Sequence, residues 1–161
     1  MIAWHRILVP TDFSETSRLA IGQAVELAKS FKASLILLHV GDRAASEVET
    51  EFPLGLDASL QDAERERLLK VLTPAEQTAL HPELIVCAGS PAHEIVRCAT
   101  ERAVDIIVMG THGRGAVGHM LMGSVAEKVV RAAPCPVLVV RQSLDRPATA
   151  LAAEAVSGAK P

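Results

Sequence analysis

Five short apolar runs mark the chain: RILVP (6–10), SLILLHV (34–40), ELIVCA (83–88), DIIVMG (105–110) and PVLVVR (136–141). Each is too short for a stable helix and rich in Leu or β-branched residues. Their apolarity is continuous rather than alternating, the mark of strands covered on both faces. Helical periodicity fills the gaps. After Ser14, a capping residue, Ala20, Ala24, Leu27, Ala28 and Phe31 share one face. A second helix is predicted over 57–72, with Leu60, Ala63, Leu68, Val71 and Leu72 inward. Thr73-Pro74 should break it and start a short extra turn ending at Leu80. Ser90 followed by Pro91 opens a third helix. The stretch SVAE (124–127) reads as a capping box that opens a fourth, with Ser124 as cap and Glu127 as its reciprocal partner.

The order βαβαβαβαβ predicts an α/β fold: one parallel sheet, right-handed crossovers and helices on both faces. At 161 residues the chain suits one domain. Residues 1–141 carry the whole pattern. The tail, 142–161, holds six alanines and little to bury, so it is expected to be poorly ordered. The acidic stretch 41–57 also falls outside the plan and is expected to be mobile.

Composition narrows the class further. Apolar residues make up 49% of the chain but aromatics only 2%, so the core must be built from Val, Ile, Leu and Ala. A net charge of −3 with dispersed Lys and Arg argues against nucleic acid as a partner. No run reaches the ~20 apolar residues of a membrane span, and the N-terminus lacks a signal-peptide core. Cys87, Cys98 and Cys135 show no paired spacing and read as reduced, buried thiols. The expected setting is therefore cytoplasmic.

The candidate chemistry lies in GTHGRGAVGHMLMGS (110–124), with five glycines, no lysine and no acid. Open parallel sheets bind ligands beyond the carboxyl ends of their strands, where the strand order reverses. With the first strand central, that place falls between PTD (10–12) and this glycine stretch. Glycine backbone can approach a phosphate closely, and the stretch feeds a helix N-terminus that favours negative charge. A Walker A loop would need a lysine before the serine, and GHMLMGS (118–124) has none. GRGAVG (113–118) matches a dinucleotide fingerprint in letters only. It follows the fourth strand, its third glycine does not open the helix, and no ribose-binding acid lies about 20 residues on.

A third spacing fits. Gly110, Gly113 and Gly123-Ser124 form G-x2-G-x9-G-[ST]. Together with ILVPTDFSE, LLHV, GSPAHEIV, DIIVMGTHGRG and GSVAEKVVRAAPCPVLVV, in this order, it resembles the universal stress protein family over residues 5–141. That resemblance implies a doubly wound, Rossmann-like five-stranded sheet of order 3-2-1-4-5, of the adenine nucleotide alpha-hydrolase type. It also implies an ATP or AMP ligand, with Mg2+ as a candidate companion on the phosphates. By position, Pro10, Thr11 and Asp12 would form the adenosine-side loop, and the backbone of Val40 would read adenine. Met109 and Gly110 would line the ribose and first phosphate, and Gly113, Gly123, Ser124 and Val125 would wrap the phosphates. Arg114 would compensate for a spacer, AVGHMLM, whose one possible cation is His119. The resemblance further implies a homodimer through Val137, Leu138, Val139 and Val140 in the last strand.

Structural readings stand beside these. Asp12 could cap the first helix, Ser124 is explained by its capping box, and His39 reads as a core or rim residue. His5, His81, His93 and His112 show no metal-ligand spacing. The function expected is a nucleotide-binding stress-response regulator rather than an enzyme, with slow ATP hydrolysis at most. The alternative is a dimeric adaptor that binds no nucleotide.

Overall fold

The computed structural model describes residues 3–41, 58–111 and 122–141, with side chains of the second helix described from Gln61 onward. Five strands are present: β1 (Arg6–Pro10), β2 (Ser34–Gly41), β3 (Glu83–Ala88), β4 (Ile106–Gly110) and β5 (Val137–Val140). They lie parallel in the order β3-β2-β1-β4-β5. The sheet therefore matches both the continuous apolarity of its strands and the order implied by the resemblance.

The helices are α1 (Glu15–Phe31), α2 (Ala58–Leu69), α3 (Pro74–Leu80), α4 (Pro91–Glu101) and α5 (Ser124–Ala132). They divide the core into two layers. On one face Ile7, Val9, Leu35, Leu37 and Val108 pack against Ala20, Ile21, Ala24, Val25 and Ala28 of α1, and against Leu68 and Leu72. On the other face Leu8, Ile36, Leu38, Ile107 and Met109 meet Ile95, Cys98 and Ala99 of α4, and Ala126 and Val129 of α5. Adjacent residues Ile7, Leu8 and Val9 are all 0% exposed, because successive strand side chains enter opposite layers. Each fully buried side chain of this size contributes about 1.5–3 kcal/mol.

Several local expectations need correction. Phe31 leaves the α1 core stripe, stays exposed and packs its ring on Trp4, with centroids 4.9 Å apart. Ala63 is exposed, since α2 is anchored through its C-terminal turn at Leu68. Leu60 lies outside the described side chains. The helix expected over 57–72 ends at Leu69, and the break at Thr73-Pro74 starts a full helix, α3. A capping box does occur there, where the Thr73 side chain accepts from the Glu76 N–H and Glu76 accepts from the Thr73 N–H. Ser124 has no such box. It is the first helical residue of α5, and Gly123 is the cap. Glu127 instead pairs with Arg131 at 2.8 Å, one helical turn on.

Candidate functional site

The chain leaves β1 toward β2 and β3 on one side, whereas β4 and β5 lie on the other. The strand order therefore reverses between β1 and β4, which run side by side with Ile7 opposite Ile106 and Leu8 opposite Ile107. Their carboxyl ends, at Pro10 and Gly110, share one edge of the sheet. The two unusual loops of the sequence begin there.

The loop after β1 is built around Thr11, which is buried. Its N–H donates to the Leu38 carbonyl at 2.8 Å. Its hydroxyl meets the Ser17 hydroxyl at 3.0 Å and accepts from the Phe13 N–H at 3.0 Å. Its carbonyl accepts from His39 Nδ1 at 2.8 Å. Thr11 thus shapes the loop with every polar group it has. Asp12 follows, its Oδ1 accepting from the Ser14 N–H at 3.0 Å. Ser14 itself caps α1 by accepting from the Ser17 N–H, so Asp12 supports the capping residue rather than capping the helix. Phe13 is held at φ 64°, in the left-handed region, an uncommon state for a bulky side chain.

The loop after β4 is tied at both ends. Thr111 donates its N–H to the Val140 carbonyl at 2.9 Å, and its own carbonyl accepts from the Gly123 N–H at 2.6 Å. Residues 112–121 therefore span two points that are hydrogen-bonded to each other. Gly113, Arg114, His112 and His119 lie outside the described residues. At the far end, Glu127 N–H bonds to the Gly123 carbonyl at 3.0 Å. The amides of Ser124, Val125 and Ala126 precede that first helical bond and have no intrahelical acceptor. Ser124 is exposed, and its hydroxyl is released from the capping role expected of it.

Gly110 has a reason of its own. A Cβ there would stand 2.9 Å from the carbonyl carbon and 3.0 Å from the carbonyl oxygen of Thr16. β4 and the start of α1 approach closely enough to exclude any side chain. The first signature glycine is therefore a packing requirement that sets how near the two loops lie.

Apolar residues of β2 and of the start of α5 line the same layer of the core. Val40, Met122 and Val125 are partly buried against the layer that contains Met109. Met109 is only 5% exposed, so a ligand at this point would meet its backbone. The structure thus gathers Pro10, Thr11, Asp12, Val40, Met109, Gly110, Gly123, Ser124 and Val125 along the carboxyl edge. Sequence reasoning missed Met122, although its position directly before the cap places it over the same layer.

Elsewhere, no group of three or more His, Cys, Asp or Glu among the described residues could hold a metal ion. The cysteines are free. Burial pushes the Cys87 thiol up to about 11, with Glu94 adding to the shift, and burial also raises Cys98 and Cys135. These thiols stay protonated at neutral pH and serve as packing groups. Among the described residues, no helix is long and apolar enough to cross a membrane.

A doubly wound, five-stranded parallel sheet in the order β3-β2-β1-β4-β5 defines the class, a Rossmann-like α/β domain. Within that class, the chain belongs to the universal stress protein family, whose family model matches residues 3–141. It is similar to universal stress protein MJ0531 of Methanocaldococcus jannaschii, 37% identical over 144 residues, covering 86% of this chain and 83% of that protein. Universal stress protein MJ0577 of the same organism is 35% identical over 158 residues, covering 88% and 97%. Among solved structures, the universal stress protein UspA of Lactobacillus plantarum superposes with a TM-score of 0.67 at 30% identity, covering 88% of this chain and all of that one.

Proposed function

We propose that this protein is a regulatory universal stress protein that binds ATP or AMP at the β1–β4 crevice. The observation that carries the reading is the Thr111–Gly123 closure. It brings the ends of the G-x2-G-x9-G-[ST] signature together and sets the first turn of α5, with the amides of Ser124, Val125 and Ala126 that lack an intrahelical acceptor, beside the end of β4. Three such N–H donors and the helix dipole suit phosphate oxygens. The partly buried, apolar Val40, Met122 and Val125 suit a purine face. Asp12, two residues past the end of β1, would accept from ribose hydroxyls or the adenine amine. Mg2+ would ride on the phosphates themselves. The reading is a ligand-responsive protein with slow hydrolysis at most. The alternative is an adaptor that binds no nucleotide. It is favoured by the spacer AVGHMLM, whose single candidate cation is His119.

Calorimetric titration of nucleotide-stripped protein with Mg-ATP and then AMP separates the two. The nucleotide reading expects Kd below about 10 μM, roughly −7 kcal/mol. It also expects Gly123→Val to lose at least tenfold in affinity while melting normally. Gly123 sits at φ −73°, ψ 157°, a backbone state that valine adopts freely. Gly110→Ala would be a poor probe, since its methyl collides with the Thr16 backbone. Absence of heat with either nucleotide, with an unchanged melting temperature, would leave the adaptor.

A further inference from the structure

Behind the crevice, on the α1 side of the sheet, four side chains join β2, the β1 loop and α2. His39, near the end of β2, donates Nδ1–H to the Thr11 carbonyl at 2.8 Å. A carbonyl only accepts, so this bond fixes the proton on Nδ1 and leaves Nε2 with a lone pair in the neutral ring. Nε2 points toward Glu64 Oε2 of α2 at 3.8 Å. That oxygen is buried and has no hydrogen-bond donor among the described residues. Arg67 Nη1 lies 3.7 Å from the same oxygen, too far for a hydrogen bond. The Arg67 guanidinium instead stacks 3.9 Å above the Phe13 ring, and that ring packs against His39 with centroids 4.6 Å apart.

In the neutral cluster, two acceptors face each other across a gap with no proton between them. A buried acceptor without a donor carries a desolvation cost. One added proton on Nε2 removes it and converts the contact into a charge-assisted pair. Among the described residues, charged groups come from these elements around the ring. α2 brings Glu64 and Arg67, and the β1 loop brings Asp12, whose Oδ1 already receives the Ser14 N–H. From β3, Val86 stands opposite in the ladder, and α1 contributes Ser17 through Thr11.

We propose that His39 is a proton-operated tie between α2 and the loop that opens the crevice, so that nucleotide affinity rises as the ring is protonated. Protonation closes the 3.8 Å gap, draws α2 onto Phe13 and strengthens the bond that holds the Thr11 carbonyl. It also adds a positive charge near a site for a polyanion. Both effects act in one direction, toward tighter binding at lower pH. His39 acts here as a positioning residue, through Thr11 and Phe13. The affinity part of this inference rests on the nucleotide reading above, whereas the tie itself does not.

The test compares AMP affinity at pH 8 and pH 5.5 in the wild type and in His39→Asn. Asparagine places an amide N–H near the Nδ1 position, keeping the Thr11 bond while removing the titration. The ionisation of AMP itself is common to both proteins and cancels. The expected result is a gain in affinity on acidification about fivefold larger in the wild type. Parallel pH profiles in two proteins that both bind would overturn the regulatory role. The tie is read without nucleotide by NMR. The amide resonances of Glu64 and Arg67 should move in step with the His39 ring as it titrates, and Glu64→Ala should abolish that response at Arg67. If α2 ignores the ring in the wild type, the tie is wrong whatever the affinities show. If α2 follows the ring but neither AMP nor Mg-ATP binds at either pH, the tie stands and the nucleotide reading fails.

Discussion

At the residue scale, Asp105 shows how one side chain can fix a junction that no apolar pattern reveals. It stands just before β4, and its Oδ2 accepts from the His5 and Arg6 N–H groups at 2.7 and 2.8 Å. It therefore pins the entry of β1 to the entry of β4. Those two backbone bonds hold its carboxyl below the usual aspartate range, the His5 bond most strongly. The native carboxyl resists protonation, so the unfolded chain takes up the proton first as pH falls. Its stabilisation is complete above the unfolded carboxyl's pKa and disappears as pH falls through the lower native value. Because the group is close to solvent, Asp105→Asn should cost only about 1 kcal/mol at pH 7. Urea unfolding should show that difference shrinking as pH falls below the ordinary aspartate range. A constant difference across the range would mean that the charge has no part in it. The sequence offered no sign of this role, because the donors lie about a hundred positions away. It did reveal Ser14, whose capping bond is local. It placed the cap of α5 one residue late, since the S-x-x-E pattern at 124–127 is satisfied on paper while Glu127 has Arg131 as a competing partner a turn ahead. His39 was legible only as a rim residue, for its partners Thr11 and Glu64 come from two other elements.

At the element scale, the strands and four of the helices were readable because their signals are carried within a few residues. The split between α2 and α3 was half readable. Thr73-Pro74 announced a break, but TPAE (73–76) is also a capping box followed by helix formers, and that box is the one the structure uses. α3 then supports its predecessor. Gln77 Nε2 donates to the Leu69 and Leu72 carbonyls at 3.0 and 2.9 Å, satisfying acceptors left at the end of α2. α3 has no fully buried residue of its own, so its cap counts for more than it would in a helix held by the core. Thr73→Ala should therefore destabilise the protein by about 1 kcal/mol. Hydrogen exchange should place the loss locally, with faster exchange in α3 and in the last turn of α2 and none in α1. Uniform acceleration through α1 would show instead that the cap matters to the whole fold.

At the scale of the whole molecule, the sheet has two edges of different character. β3 lies beside α2, whereas β5 pairs with β4 alone among the described strands. Leu138 at the middle of β5 is 39% exposed, and Val130 of the neighbouring α5 is 45% exposed. A short apolar strand with one side unpaired among the described residues is a template for a second strand, and a second copy of the same chain would supply one about a two-fold axis. We therefore expect light scattering at micromolar concentration to give about twice the 17.1 kDa chain mass. Leu138→Lys should return the protein to the monomer mass with an unchanged circular dichroism spectrum. The two-fold axis would bring the new charge close to its own copy, where like charges facing across paired strands repel. The lysine leaves the monomer untouched, because the position is already partly in solvent. A wild-type mass of one chain would remove the edge from consideration. A dimer that survives Leu138→Lys would move the interface away from β5, and the exposed apolar edge would then need another reason.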